Sequence, residues 1–176
     1  MKGLIKGLTA SLVLVSASSF AHTGHHMEAS FSAGFLHPLT GWDHLSALAL
    51  VGLFLSAFAI RRASQISAII MVAIAGGYAI GLEWAAASSV EALVVSSLIG
   101  LPLAFIALKK GGARGVVASV AIILFSLSHG LVQGAEAQGS FVQFGLGVML
   151  ASALVISVTY AIARQVMALK TRLARQ

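Results

Sequence analysis

The chain has 176 residues, 59% of them hydrophobic and 9% charged, with a formal net charge of +6 and a mean hydropathy of +0.98. Soluble domains carry about 25% charged residues, so this composition excludes an ordinary soluble fold and points to the membrane class. There is no cysteine, which excludes disulfides, thiolate metal sites and cysteine nucleophiles together.

Residues 1–21 read as a cleavable signal peptide. Lys2 and Lys6 form a basic start, Leu8 to Val15 is a short apolar stretch, and Ser18-Ser19-Phe20-Ala21 supplies the small residues a signal peptidase reads. A first transmembrane helix is the competing reading, for which the apolar run is short. Cleavage after Ala21 leaves an extracytoplasmic segment, 22–36, that begins His22-Thr23-Gly24-His25-His26. His22 then offers a free amine and an imidazole with His25 and His26 close by, and such histidine-rich tracts read as metal-binding.

Five apolar segments follow, at 41–60, 66–84, 90–108, 115–133 and 141–163. The expected fold class is therefore all-α: a polytopic helical membrane protein with about five transmembrane helices after the signal peptide. The bundle occupies 37–163, and 164–176 forms a basic cytoplasmic tail. Arg61 and Arg62 follow the first span, Lys109, Lys110 and Arg114 the third, and Arg164, Lys170, Arg172 and Arg175 the fifth. All fall on one side of a five-helix path, and the connections near 85–89 and 134–140 contain none. The positive-inside rule makes the basic side cytoplasmic, placing the mature N-terminus outside a cell (inner) membrane and the C-terminus inside. These cations are topology markers that meet anionic lipid headgroups, and no nucleic-acid partner is expected. Gly77 with Gly81, and Gly130 with Gly134, form small-xxx-small pairs that let helices approach closely, within one chain or between subunits.

The ionisable residues sit at the opposite side. Asp43 and His44 fall in the first turn of the first span, Glu91 in that of the third, His129 about a turn before the end of the fourth, and Glu136 just beyond. Asp43, His44, Glu91 and His129 are expected within one slab roughly a turn deep. Ionisable groups inside a span cost several kcal/mol unless paired or hydrated, so they are functional candidates by default. Glu83 beside Trp84 has a simpler reading as an interfacial helix end, and Glu28 as a solvated residue. Imidazole and carboxylate without thiolate suit a first-row divalent cation such as Ni²⁺, Co²⁺, Zn²⁺ or Mn²⁺. In a continuous helix His37 and His44 share a face about 10 Å apart, while Asp43 points about 100° from His44. Pro38 suits a helix start and Gly41 can bend the backbone. Either the segment bends to bring its ligands together, or the residues are successive stations along a path.

These residues carry a resemblance. His37-Pro38-Leu39-Thr40-Gly41-Trp42-Asp43-His44 is similar to the HPxxGxDH signature of the HupE/UreJ family. The stretch from Val90-Glu91-Ala92 through Ser97 resembles the family's central Glu-containing helix. Phe125 through His129-Gly130-Leu131-Val132-Gln133-Gly134-Ala135-Glu136 resembles its FxxxHGxxHGxE segment, with Gln133 where the family usually has a second histidine. The resemblance implies a secondary uptake permease for nickel, sometimes cobalt, that supplies maturation of a metalloenzyme such as hydrogenase or urease. Carried over by position, the metal-handling candidates are His37, Asp43, His44, Glu91, His129 and Glu136. The ion is then the transported substrate, and neither a tightly bound cofactor nor enzymatic activity is expected. The lipid bilayer, a homo-oligomeric copy and metalloenzyme maturation machinery are the partners compatible with this reading. No Walker-type phosphate loop argues for an ATPase. Two other readings compete: a b-type haem electron-transfer protein with His44 and His129 as axial ligands, and an intramembrane hydrolase using Ser128 beside His129. The adjacent carboxylates argue against the first, and the outward divergence of neighbouring helical residues against the second.

Overall fold

The computed structural model describes residues 31–84, 88–137 and 139–175; residues 1–21, expected to be a signal peptide, and His22, His25, His26 and Glu28 lie outside the described residues. Every regular element among the described residues is a helix: α1 (Phe31–Thr40), α2 (Trp42–Leu55), α3 (Ile60–Gly81), α4 (Ser88–Lys110), α5 (Gly112–Ala135) and α6 (Phe141–Leu173). Four of them, α3 to α6, are each long and apolar enough to cross a bilayer, and α1 with α2 pass the same test only as a pair bent by 78°. The chain is a multi-pass helical membrane protein.

The bend changes the expected first span. Instead of one helix over 41–60, α2 covers 14 residues, about 21 Å at helical rise and short of the roughly 30 Å hydrocarbon core. Pro38 is not at a helix start. It sits buried near the end of α1, a helix that begins at Phe31 and so takes in residues expected in the N-terminal segment. Proline cannot donate to the carbonyl four residues back, and α1 stops two residues later. Gly41 then takes an extended conformation and α2 begins. At the other end of the chain α6 has 33 residues, about 50 Å. It runs through the expected boundary at 163, with its last turns exposed, so the basic tail is largely a helix.

Glycine sets the closest helix contacts. A Cβ on Gly77 or Gly81 of α3 would run into the Leu127 or Leu131 carbonyl of α5, and one on Gly130 or Gly134 of α5 into the Ile74 or Tyr78 carbonyl of α3. The two small-xxx-small pairs are therefore partners of each other within one chain. A second such contact crosses α1 and α6, where Gly34 meets the Phe144 backbone and Gly147 the Phe31 backbone. Small residues serve here because lipid tails are as apolar as leucine, so helices associate through close packing more than hydrophobic burial.

These registers orient the bundle. α3 runs parallel to α5, α4 is joined to α5 as an antiparallel hairpin through Gly111, and α2 runs parallel to α6 with Gly52 against Ile156. Arg61, Arg62, Lys109, Lys110, Arg114 and Arg164 consequently gather at one end, the basic end. The HPxxGxDH motif, Glu91, His129 and Glu136 lie toward the other, the motif end, where exposed Trp42 and Trp84 suit a membrane interface. Between His129 and the basic end the bundle is closed by one apolar cluster, including Leu48, Leu55, Ile70, Leu101 and Phe105. Phe54 stacks on Phe105 across it at 5.6 Å between centroids.

Candidate metal site

The bend brings the first motif together. His37, in the last turn of α1, and His44, in the first turn of α2, meet with ring centroids 5.5 Å apart, edge to face, instead of about 10 Å apart along a continuous helix. Asp43 and His44 also touch, contrary to the divergence expected of neighbours on a helix. His44 Nδ1 lies 3.1 Å from Asp43 Oδ1. Gly41 allows it: a Cβ there would lie 3.3 Å from Asp43 Oδ1 and 3.4 Å from His44 Nδ1. An ionised carboxylate only accepts, so the His44 Nδ1–H donates to it and the Nε2 lone pair is left for another partner. That Nε2 is buried with no hydrogen-bond partner.

Outward from His44, His37 Nε2 lies 3.1 Å from Glu136 Oε2, both side chains being part-exposed. Phe144 supports the His37 ring at 5.6 Å and stacks on Tyr78, whose hydroxyl donates to the Phe141 carbonyl at 2.6 Å. The negative end of the α1 dipole lies at His37, which favours a cation there. Inward from His44 comes His129, with ring centroids 5.3 Å apart and planes at 89°. His129 Nε2 lies 2.7 Å from Ser97 Oγ, and His129 Nδ1 is buried without a partner. Gln133, one turn outward on the same face of α5, is 1% exposed and its Oε1 is likewise unpartnered.

The result is a file of polar groups: Glu136, His37, His44 with Asp43, then His129 with Ser97. It starts part-exposed at the motif end and finishes on groups almost without solvent contact, His129 at 4% and Ser97 at 0%. Among the described residues no three His, Asp or Glu side chains converge as a ready-made metal shell. The bend thus joins neighbouring stations without closing a cage.

Glu91 stands apart from the slab in which it was expected. The hairpin register sets Val94 against Leu131 and Val132, Ser97 against His129, and Gly100 against Phe125. Six residues before Ser97, Glu91 lies about 9 Å further out along α4, level with the end of α5. It is half-buried in the first turn of α4. Glu83 is exposed at the end of α3, as an interfacial residue should be. Ser97, Phe144 and Tyr78 had no role on sequence grounds. A serine in an apolar helix ordinarily bonds its own backbone, as Ser97 does with Val94, so its type and position carry no signal.

The model of the family described as HupE / UreJ protein matches residues 10–176. The chain belongs to the HupE/UreJ family. Protein HupE of Rhizobium leguminosarum bv. viciae is 28% identical over 130 residues, covering 73% of this chain and 65% of that protein. This chain therefore aligns with just under two thirds of that relative's length. No solved structure matches. In this HupE/UreJ chain the competing readings fare poorly on geometry. Ser128 donates to the Phe125 carbonyl at 2.8 Å and is not engaged with His129. The edge-to-face His44 and His129 rings leave no slot for a macrocycle between them.

Proposed function

We propose that this protein is a secondary uptake permease for a divalent transition metal, nickel first and cobalt second, that supplies metalloenzyme maturation. The observation that carries the reading is the file of imidazoles ending on the unpartnered Nε2 of His44 and, one step deeper, the unpartnered Nδ1 of His129. Buried polar atoms are nearly always satisfied, so orphaned acceptors in line with a part-exposed carboxylate–imidazole pair call for a cation. Nitrogen and oxygen donors without sulfur suit Ni²⁺ and Co²⁺. Nickel is placed first on the family resemblance.

The motif end faces outside and the basic end the cytoplasm, by the positive-inside rule. Glu136 and His37 receive the hydrated ion, and His44, oriented by Asp43, replaces part of its water shell. His129 takes it to the edge of the apolar cluster. Successive partial shells keep each station weak enough to leave, as permeation requires. The ion gains roughly 4–5 kcal/mol per 100 mV on moving to a negative interior. Passage beyond His129 requires the Phe54–Phe105 contact to part, which makes the described state closed at the basic end. The broken α1–α2 span resembles the discontinuous helices on which secondary transporters build midplane sites.

Radioactive nickel uptake in cells expressing the chain, with cobalt as competitor, tests this directly. Uptake above an empty-vector control, reduced by excess cobalt and abolished in His44→Ala, is the expected outcome. No uptake of either metal by protein shown to be membrane-inserted would remove the proposal.

A further inference from the structure

We propose that Ser97 is a positioning residue that selects which nitrogen of His129 faces the metal. The inference rests on the metal reading above but concerns a residue to which neither the motifs nor the family resemblance gives a role.

The argument follows from counting protons. A serine hydroxyl has one hydrogen and two lone pairs. Ser97 Oγ donates its hydrogen to the Val94 carbonyl at 2.5 Å. Its 2.7 Å contact with His129 Nε2 then needs a proton from the imidazole, so His129 Nε2–H donates and Ser97 Oγ accepts. A neutral imidazole carries a proton on only one nitrogen, so Nδ1 holds a lone pair. Nδ1 is the His129 atom that is buried without a partner. Asp43 does the corresponding work on His44, accepting a hydrogen bond from Nδ1–H and so leaving the lone pair on Nε2. The two histidines therefore present opposite nitrogens, each held in that state by a neighbour on its other side. This is the outer-partner arrangement that fixes the tautomer and ring orientation of metal-ligating histidines.

The two orienting partners differ in charge, with a consequence for transport. Asp43 is an anion and makes His44 the more electron-rich donor. Ser97 is neutral and, with its own proton committed, lends His129 less basicity. A cation is held more firmly at His44 and let go more easily at His129, the station next to the apolar cluster. Threonine can keep both the backbone bond and the acceptor lone pair, whereas alanine removes the acceptor and leaves Nε2–H buried without a partner.

The test uses full-length protein with isotope-labelled histidine in lipid bilayers and solid-state NMR of the ring nitrogens, with His129 assigned by its loss in His129→Gln. The expected spectrum of the wild type, recorded without metal, shows His129 protonated at Nε2, and Ser97→Thr keeps it. Ser97→Ala shifts the population toward protonated Nδ1. In nickel uptake, Ser97→Ala raises half-saturation by about 10–100-fold, the usual range for losing an outer partner, and Ser97→Thr restores it. Protonated Nδ1 in the wild type overturns the proposal, as does a Ser97→Ala variant with unchanged His129 signals and unchanged half-saturation. Failure of the wild type to take up nickel or cobalt would instead strike the metal reading, while the metal-free spectra would still decide the bond.

Discussion

The two ends of the bundle are built on opposite principles. Toward the motif end lie three of the four buried side-chain polar atoms without a partner among the described residues, His44 Nε2, His129 Nδ1 and Gln133 Oε1; the fourth is Ser152 Oγ of α6. Toward the basic end the interior is mainly apolar, filled by Leu48, Leu55, Leu101, Ile70 and Phe105, with the small buried hydroxyls of Ser56 and Ser152 at its level. An unpartnered buried acceptor costs about 1–3 kcal/mol, so the motif end gives up stability that the apolar end supplies. Under the proposed function the two ends take separate tasks, ion capture at one and closure at the other.

The largest expected effect comes from removing the junction of the file. His44→Ala and Asp43→Ala should each abolish nickel uptake at equal amounts of membrane-inserted protein, because one loses the donor and the other its orientation. Wild-type uptake by His44→Ala would end the comparison, since the polar end would then be no capture site.

Phe105→Ala probes the opposite end. It should cost about 3–5 kcal/mol of stability through the cavity left in the apolar cluster, visible as a lower thermal denaturation midpoint in detergent. Nickel half-saturation should stay near wild type. A rise in half-saturation comparable to that of a file variant would show that capture and closure are not separable.

A smaller change is expected at Gln133, whose amide oxygen is a poorer nickel donor than imidazole. Gln133→His should tighten half-saturation by up to about tenfold, about 1.4 kcal/mol, and lower maximal velocity because release slows. Gln133→Ala should lose less uptake than His129→Ala. If both Gln133 variants match wild type in both parameters, this face of α5 only packs.

The least effect is expected for Glu83→Ala. An exposed side chain at the end of α3 should change stability by no more than about 0.5 kcal/mol and leave uptake intact. Loss of uptake would move the path toward α3 and away from the imidazole file.

Particular residues show how much of this was legible in advance. The helical segments, the basic end and the polar character of Asp43, His44, His129 and Glu136 follow from composition and spacing. Gly77, Gly81, Gly130 and Gly134 were visible as close-contact residues, but not as partners of one another. Gly34, Gly52 and Gly147, equally tight against backbone, form no such spaced motif with each other. Asp43 touching His44 went against helical geometry because the first turn of α2 follows a break with no side chain at Gly41.

Hydropathy and charge are properties of residues read along the chain, so the sequence by itself determined an all-helical membrane protein, the places of its second to fourth spans, and the segregation of cations from imidazoles and carboxylates. It determined neither the break in the first span nor the length of the last helix. Pairing across helices depends on register and on where a helix breaks, and neither is local. Only the tertiary structure decided that Gly41 turns α1 against α2, that His37 meets His44 and Glu136, that Glu91 sits outward of His129, and that Ser97 is the residue opposite His129. A shift of one residue in the α4–α5 register would turn Ser97 by about 100° away from that ring.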